Sequence, residues 1–256
     1  MKTVFIFGAG ASRQAGGPLM YDFLDRASSL YRQRTSSFNS PESFEDVFNA
    51  MSELSGIFSK AYLDLDNIEV LFGAIETAQL TGKFASRNEE EIKKLRNSII
   101  TLIYKTLEAH IQFPIEGLYP QNWVVAPAPY PNFLKMLEEL KEDQNRQDQH
   151  KFSFLTFNYD VCLDYALFKN PGNFDYYLKD PPAPGGTPLL KLHGSINWGA
   201  CKECNTVHPI DFRQINFQNL LDSPYVLMEL GSKLANFLKP CCNQTIQGTP
   251  VLVPPT

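Results

Sequence analysis

Three things are scarce in this chain, and each scarcity removes a class of function. Positive charge is the first: 23 Lys and Arg against 28 Asp and Glu leave a net charge of −5. Nucleic-acid binding through a broad basic surface is therefore disfavoured. Long apolar runs are the second. None approaches the roughly 20 residues needed to span a bilayer, so no membrane association is expected. The opening run Val4–Phe7 is broken by Gly8, Gly10 and Arg13 before a signal-peptide core can form, and the expected location is the cytoplasm. Cysteine is the third. Five thiols in 256 residues do not make a disulfide scaffold. Cys162 stands apart on an expected helix and reads as a packed core residue. Cys201, Cys204, Cys241 and Cys242 lie near the C-terminal end. One motif is also incomplete: after Gly8 and Gly10, position 13 is Arg where a dinucleotide fingerprint needs a third glycine. No second strand ends in an acid about 20 residues on, which argues against a conventional dehydrogenase.

What is present is an ordinary globular composition, 43% apolar and 20% charged, with length enough for a sizeable core. Val4–Phe7 reads as a buried strand that ends at glycine. A helix-like pattern through Leu19, Phe23, Leu24 and Ala27 follows it. Thr35–Asn39 reads as a loop. Ser40-Pro41 then opens an amphipathic helix carrying Phe44, Val47, Phe48 and Met51. Asp66 or Asn67 caps a second helix, with Ile68, Leu71, Phe72 and Ile75. A third starts at Asn88–Glu91 and carries Ile92, Leu95, Ile99, Leu102, Ile103 and Leu107. His110 reads as a histidine near that helix's end. Pro114–Pro131 looks irregular. A helix is expected from about Asn132 to Glu142, then a polar loop over 142–151 holding a solvated His150.

The α/β pattern then resumes. Phe152–Phe157 is an expected strand, followed by a helix to Phe168 closed by Asn170-Pro171-Gly172. Phe174–Leu178 and Leu189–Leu192 are further strands, with a turn-rich loop over Pro181–Pro188 between them. The expected fold is α/β: a Rossmann-like parallel sheet from 1–34 and 130–198, a helical insertion over 35–129, and a cysteine module over 199–249. In open α/β sheets ligands bind at the C-terminal ends of the strands. Three segments put polar residues at such ends: Gly8–Ser12, Asn158–Asp160 and His193–Ser195.

Those segments carry a resemblance. Gly8-Ala9-Gly10-Ala11-Ser12 with Ala15-Gly16-Gly17-Pro18, then Thr156-Phe157-Asn158-Tyr159-Asp160, then Lys191-Leu192-His193-Gly194-Ser195, are similar to the ordered motifs of sirtuin-like proteins. They resemble the bacterial sirtuin-like NADases of anti-phage defence more than the deacylases, and the helical insertion agrees. The resemblance implies that Gly8, Ala9, Gly10 and Ser12 hold the pyrophosphate and nearby ribose of NAD+. It implies that Asn158 and Asp160 contact the nicotinamide ribose and carboxamide, and that His193 is the catalytic histidine. Asn158 is grouped with His193 as catalytic, and Ser195 with the nucleotide contacts. Leu19-Met20-Tyr21 stands where deacylases carry Asp-Phe-Arg, and Val253-Pro254-Pro255-Thr256 replaces their Phe-Gly-Glu. Both departures weigh against deacylation. An NAD-dependent protein deacylase stands as the alternative in the same enzyme class, and a non-catalytic NAD or ADP-ribose sensor as the alternative from another class.

The chemistry of the residue types agrees with glycosidic cleavage. Nicotinamide leaves NAD+ as a neutral molecule and needs no general acid, unlike an ordinary sugar leaving group. An Asn amide can hold ribose hydroxyls or water. A histidine, which titrates near pH 6.5 in general, can accept a proton near neutrality. The expected product is nicotinamide with linear or cyclic ADP-ribose. The resemblance suggests that NAD+ is depleted after infection is sensed, so an activating partner or homo-oligomer is expected. Sirtuin-like folds continue with strands that bind the adenosine half, so the sheet is expected to be C-terminally incomplete.

Cys201-Lys-Glu-Cys204 has zinc-knuckle spacing. Cys241 and Cys242 stand about where a second pair is placed in sirtuin-like proteins. Their adjacency departs from C-x-x-C, which leaves His208 as an alternative fourth ligand. The zinc would be structural.

Overall fold

Two phenylalanines, Phe5 and Phe154, sit side by side on neighbouring strands and set the register of the main sheet. The computed structural model describes residues 2–33, 40–57, 64–118, 121–142, 151–169, 174–179, 185–215, 223–238, 241–242 and 246–254. Among these, the strands in chain order are β1 (Lys2–Phe7), β2 (Gln112–Glu116), β3 (Trp123–Val124), β4 (Lys151–Thr156), β5 (Phe174–Asp175), β6 (Thr187–Lys191), β7 (Gly194–Ser195), β8 (Trp198–Ala200), β9 (Val207–Pro209), β10 (Tyr225–Leu227) and β11 (Val251–Leu252). The helices are α1 (Phe23–Gln33), α2 (Pro41–Ile57), α3 (Ile68–Thr81), α4 (Glu89–His110), α5 (Tyr130–Glu142), α6 (Cys162–Lys169) and the short α7 (Leu234–Phe237). None of the described helices is long and apolar enough to cross a membrane.

The chain divides into two units. One comprises Met1–Gly17 with His110–Val251, the other Pro18–Ala109 with Leu252–Thr256. The first holds a four-stranded parallel sheet in the order β1-β4-β6-β5. Thr3 to Phe7 lie opposite Phe152 to Thr156, and Phe154 to Thr156 lie opposite Leu189 to Lys191. Since side chains alternate along a strand, this register puts Phe5, Phe7, Phe152, Phe154 and Leu189 on one face. Helix α5 covers that face. The Phe133 ring meets Phe5 and Phe7 edge-on, both at 5.2 Å, and Leu134 and Leu137 are buried beside it. Phe152 and Phe154 are buried, each contributing about 1.5–3 kcal/mol, while Phe5, Phe7 and Phe133 are half-buried.

Among the described residues the other face is largely bare, although Ser153 and Leu155 on it are half-buried. Val4 is 59% exposed and Ile6 67%, with Phe157, Leu190 and Leu192 also exposed. Val4–Phe7 thus alternates between exposed and half-buried residues, which corrects the expectation of a buried strand. Alternation, masked by an unbroken apolar run, decided which two of its residues are covered.

Helix α6 is buried all round, from Cys162 to Leu167. Its Tyr165 hydroxyl donates to the carbonyl of Val124 at 3.2 Å. The Tyr165 ring also meets Phe113 and Phe212 edge-on. The proline-rich 114–131 stretch is less irregular than expected. It contributes β2 and β3, which pair with each other and, through β2, with β10.

The second unit is helical, built from α1 to α4, and their cores follow the sequence spacing. Phe44, Val47, Leu71, Phe72, Ile75, Ile92, Leu95, Ile99, Leu102 and Ile103 are all buried. Asn67 caps α3 by accepting from the Glu69 N–H at 2.9 Å. At the start of α4, the Asn88 side chain accepts from the N–H of Glu91 while Glu91 accepts from that of Asn88, a reciprocal cap. Arg87, in the turn before α4, ties that turn to α2 by pairing with Asp46 at 2.6 Å and Glu53 at 3.0 Å. The expected loops at 35–39 and 143–150, His150, the 170–172 helix stop and residues 181–184 lie outside the described residues, as do Pro255 and Thr256.

Candidate active site and cysteine cluster

Three neighbouring strands, β1, β4 and β6, end side by side, and the polar segments follow from those ends. The ladder runs one residue past β4 and β6. Phe157 N–H donates to the Phe7 carbonyl at 3.1 Å, and Leu192 N–H to the Thr156 carbonyl at 3.1 Å. The loops therefore inherit the strand register.

After β1 the backbone turns through Gly8 into a 3-10 helix, Ala9–Ala15, and a second 3-10 turn (Met20–Asp22) precedes α1. The expected single helix after the glycines is thus split. Its glycines have separate roles. Gly16 has φ +93°, and a Cβ there would lie 2.3 Å from the carbonyl oxygen of His110. The fold itself demands glycine at that point. A Cβ on Gly8 or Gly10, by contrast, would meet nothing within 4 Å. Gly8 and Gly10 are exposed and Ala9 half-buried.

Ser12 is buried beneath this turn. Its hydroxyl shares a hydrogen bond with the Tyr130 hydroxyl at 3.2 Å and accepts from the Asn158 side-chain amide at 3.3 Å. The Asn158 backbone N–H donates to the Thr156 hydroxyl at 3.1 Å, which bends the chain as it leaves β4. Asn158 is 9% exposed. Burial pushes the Tyr130 hydroxyl far above its ordinary range, with the Asp160 charge adding to it, so Tyr130 is a neutral donor or acceptor there.

Asp160 caps α6, its carboxylate accepting from the Cys162 N–H at 2.9 Å. Cys162 is buried, as its core reading required. Burial, then Asp160, pushes its thiol well up, which keeps it protonated. Ser195 is also buried, and its hydroxyl donates to the Tyr159 carbonyl at 3.3 Å. His193 is half-buried. Its ring lies 5.5 Å from that of Phe157 and 6.2 Å from that of Tyr159, the two residues that flank Asn158. Gly194 follows with φ +80°, a conformation that suits glycine.

Beneath these loops runs a polar chain that sequence reading did not single out. The Lys191 ammonium donates to the Asp160 backbone carbonyl and to the Asp164 carboxylate at 3.0 Å. Asp164 accepts at its other oxygen from the Tyr176 hydroxyl at 2.6 Å, and Tyr176 accepts from the Asn197 amide at 3.2 Å. The side chains of Lys191 and Asp164 are 0% and 1% exposed. A lysine ending an apolar strand was the available signal, because a buried ammonium requires a partner. Nothing in the proline-rich context of Tyr130 marked it.

No protein-family model matches the chain, and no curated protein matches it significantly.

The cysteines form a second constellation. Cys201, Cys204, Cys241 and Cys242 place their Sγ atoms within 4.8 Å of one another. Cys204 and Cys241 are 3.1 Å apart, and the adjacent Cys241 and Cys242 are 3.9 Å apart. All four are free thiols. A tetrahedral zinc–thiolate site, with Zn–S near 2.3 Å, sets its sulfurs about 3.8 Å apart, so four sulfurs at this spacing can hold a metal ion. Adjacency does not keep Cys242 out of the group, and His208 is not in it. His208 sits on β9 opposite Gly199, and its Nε2 is buried with no hydrogen-bond partner among the described residues. The thiols split in acidity. The Thr206 hydroxyl, then Cys241, lowers Cys204 to about 6. Backbone N–H groups of Cys204 and Glu203 lower Cys201. Cys241 is raised chiefly by Cys204, and Cys242 is pushed up to about 12 by Cys204 and Cys241. The cluster thus sets acidic thiols beside ones that hold their protons, and a bound cation would displace those remaining protons.

Proposed function

We propose that this chain is a sirtuin-like NAD+ hydrolase, with a Rossmann-like nucleotide-binding core, that releases nicotinamide and ADP-ribose. The observation that carries the reading is the meeting of Ser12 and Asn158, 146 residues apart, at the ends of β1 and β4. The His193 ring follows from the end of β6, against Phe157 and Tyr159. The open space over Gly8 and Gly10 supports a ligand that approaches the backbone closely, as a pyrophosphate does.

In this reading the Gly8–Gly10 backbone takes the pyrophosphate. Asn158, braced by Ser12 and Thr156, holds the nicotinamide ribose hydroxyls or the attacking water. Nicotinamide departs with the bonding electrons and becomes neutral, so the site needs no acid for it. Positive charge develops on the ribose, and water adds at the anomeric carbon. His193 accepts the proton that the water or a ribose hydroxyl gives up. Asp160 and Ser195 hold the loop that carries Asn158. The resemblance extends the proposal to NAD+ depletion in anti-phage defence, under control of an assembly or activating partner.

The cysteine cluster is proposed to hold a structural zinc. Its four thiolates would leave no open position for substrate. The ion would staple the turn after β8 to the 241–242 segment.

The test is incubation of the purified protein with NAD+, with nicotinamide and ADP-ribose followed by chromatography. Asn158→Ala and His193→Ala are each expected to lose about 10²–10³-fold in rate, the scale of a lost transition-state contact. NAD+ binding with no turnover, unchanged by His193→Ala, would replace the hydrolase with a sensor.

A further inference from the structure

We propose that the buried Lys191–Asp164 pair is a positioning device that holds the Asn158–Asp160 loop against the end of β6. This rests on the hydrolase reading for its kinetic consequence but not for its geometry.

The ammonium of Lys191 joins three elements from one point. Lys191 is the last residue of β6, two residues before His193. One of its protons goes to the backbone carbonyl of Asp160, two residues after Asn158. Another goes to Asp164 on α6. Asp164 is itself held at its second oxygen by Tyr176, which follows β5. The strands hold β4 and β6 in register, but the loop beyond them leaves that ladder after Leu192 N–H. From there on, the Lys191–Asp160 bond, with the bonds from Ser195 and Ile196 to the Tyr159 carbonyl, links the two functional segments.

The chemistry explains why an ion pair is used where an apolar pair would suit the core. Taking both charges out of water is costly, so a buried pair is a poor stabiliser compared with well-packed apolar groups. An apolar pair, however, cannot satisfy the Asp160 carbonyl, which points inward at the root of the loop. The ammonium has three protons and bonds carbonyl and carboxylate at once. Loop position is then coupled to α6 and β6 together, and a displacement of about 1 Å at such a site costs on the order of 10²-fold in rate.

The experiment compares wild type, Lys191→Met, and Lys191→Met combined with Asp164→Leu. The single variant leaves a buried carboxylate unpaired and is expected to lower the thermal midpoint. The double variant removes both charges and is expected to recover most of that loss. Two further readouts separate positioning from bulk stability. Amide hydrogen exchange, by mass spectrometry on peptides spanning 157–161, is expected to speed up by at least about tenfold in the double variant. Nicotinamide release is expected to fall about 10²-fold, in kcat, with KM for NAD+ within about threefold. A double variant that recovers its midpoint and keeps wild-type exchange and turnover overturns the proposal. If the double variant does not fold, Lys191→Arg decides. It keeps the charge pair but cannot place one nitrogen on both acceptors, so a folded Lys191→Arg with faster exchange supports positioning and one with wild-type exchange overturns it. A wild-type chain that releases no nicotinamide sinks the hydrolase reading alone, and the exchange data then decide the positioning role.

Discussion

Asn158 and Ser12 are hydrogen-bonded at 3.3 Å between a side-chain amide and a buried hydroxyl. Because the same hydroxyl also bonds Tyr130, the Asn158 side chain is set by the 3-10 helix after β1 and by α5. A side chain anchored in this way has lost its rotamer freedom before any ligand arrives, which is the condition for an oriented contact to a ribose or a water.

The glycines of the first turn separate fold from ligand. Gly16→Ala puts a Cβ against the His110 carbonyl at φ +93° and is expected to destabilise by more than about 1 kcal/mol. Gly10→Ala meets open space and is expected to leave the denaturant midpoint nearly unchanged while weakening NAD+ binding about tenfold or more. Denaturation and calorimetric titration on both variants check this. Equal effects on stability would remove the distinction.

Asp160 has a structural task that can be isolated. Asp160→Ala removes the α6 cap, at an expected cost of about 1 kcal/mol. Asp160→Asn keeps an acceptor for the Cys162 N–H and is expected to stay within about 0.5 kcal/mol of wild type. If Asp160→Asn nevertheless loses nicotinamide release, the carboxylate touches the nucleotide as well as the helix.

The cysteines should differ in reactivity. A thiol lowered to about 6 is mostly thiolate at pH 7, whereas one raised to about 12 is protonated. In metal-free protein at pH 7, iodoacetamide is expected to label the exposed Cys204 before Cys242, with the buried Cys162 last. The labelling rate of Cys204 should fall as pH drops through about 6, because the thiolate is lost. Zinc at one equivalent should protect all four clustered thiols, as read by peptide mass mapping. Labelling of Cys204 that zinc leaves unchanged would dismiss the metal site.

The two faces of the main sheet make opposite predictions. Phe154→Ala on the covered face is expected to cost about 3–5 kcal/mol, and urea unfolding measures it. Ile6→Thr on the bare face, where Ile6 is 67% exposed, is expected to stay within about 0.5 kcal/mol. A large loss for Ile6→Thr would mean that this face is covered in solution.

Local rules carried much of this structure. Periodicity located α2, α3 and α4 with their buried stripes, and a cap at Asp66 or Asn67 was legible because capping needs only a side chain and the next turn, while the reciprocal cap of Asn88 and Glu91 came from the structure. Gly8–Ser12, Asn158–Asp160 and His193–Ser195 were legible as polar segments after apolar strands, and C-x-x-C marked half of the cysteine cluster. Strand order was not local. Only the parallel pairing of β1, β4 and β6 put three distant segments beside one another, because the register sets residues far apart in the chain side by side, Phe5 against Phe154 and Phe154 against Leu189. The bare face of Val4 and Ile6 was invisible in an unbroken apolar run, which reads alike for a strand covered on one side or on both. Cys242 joined Cys201, Cys204 and Cys241 by a loop geometry that spacing alone argued against. The Lys191–Asp164–Tyr176 chain shows the same division most plainly. The sequence determined that a lysine ends β6, and burial in the folded core decided that it must be paired, and with what.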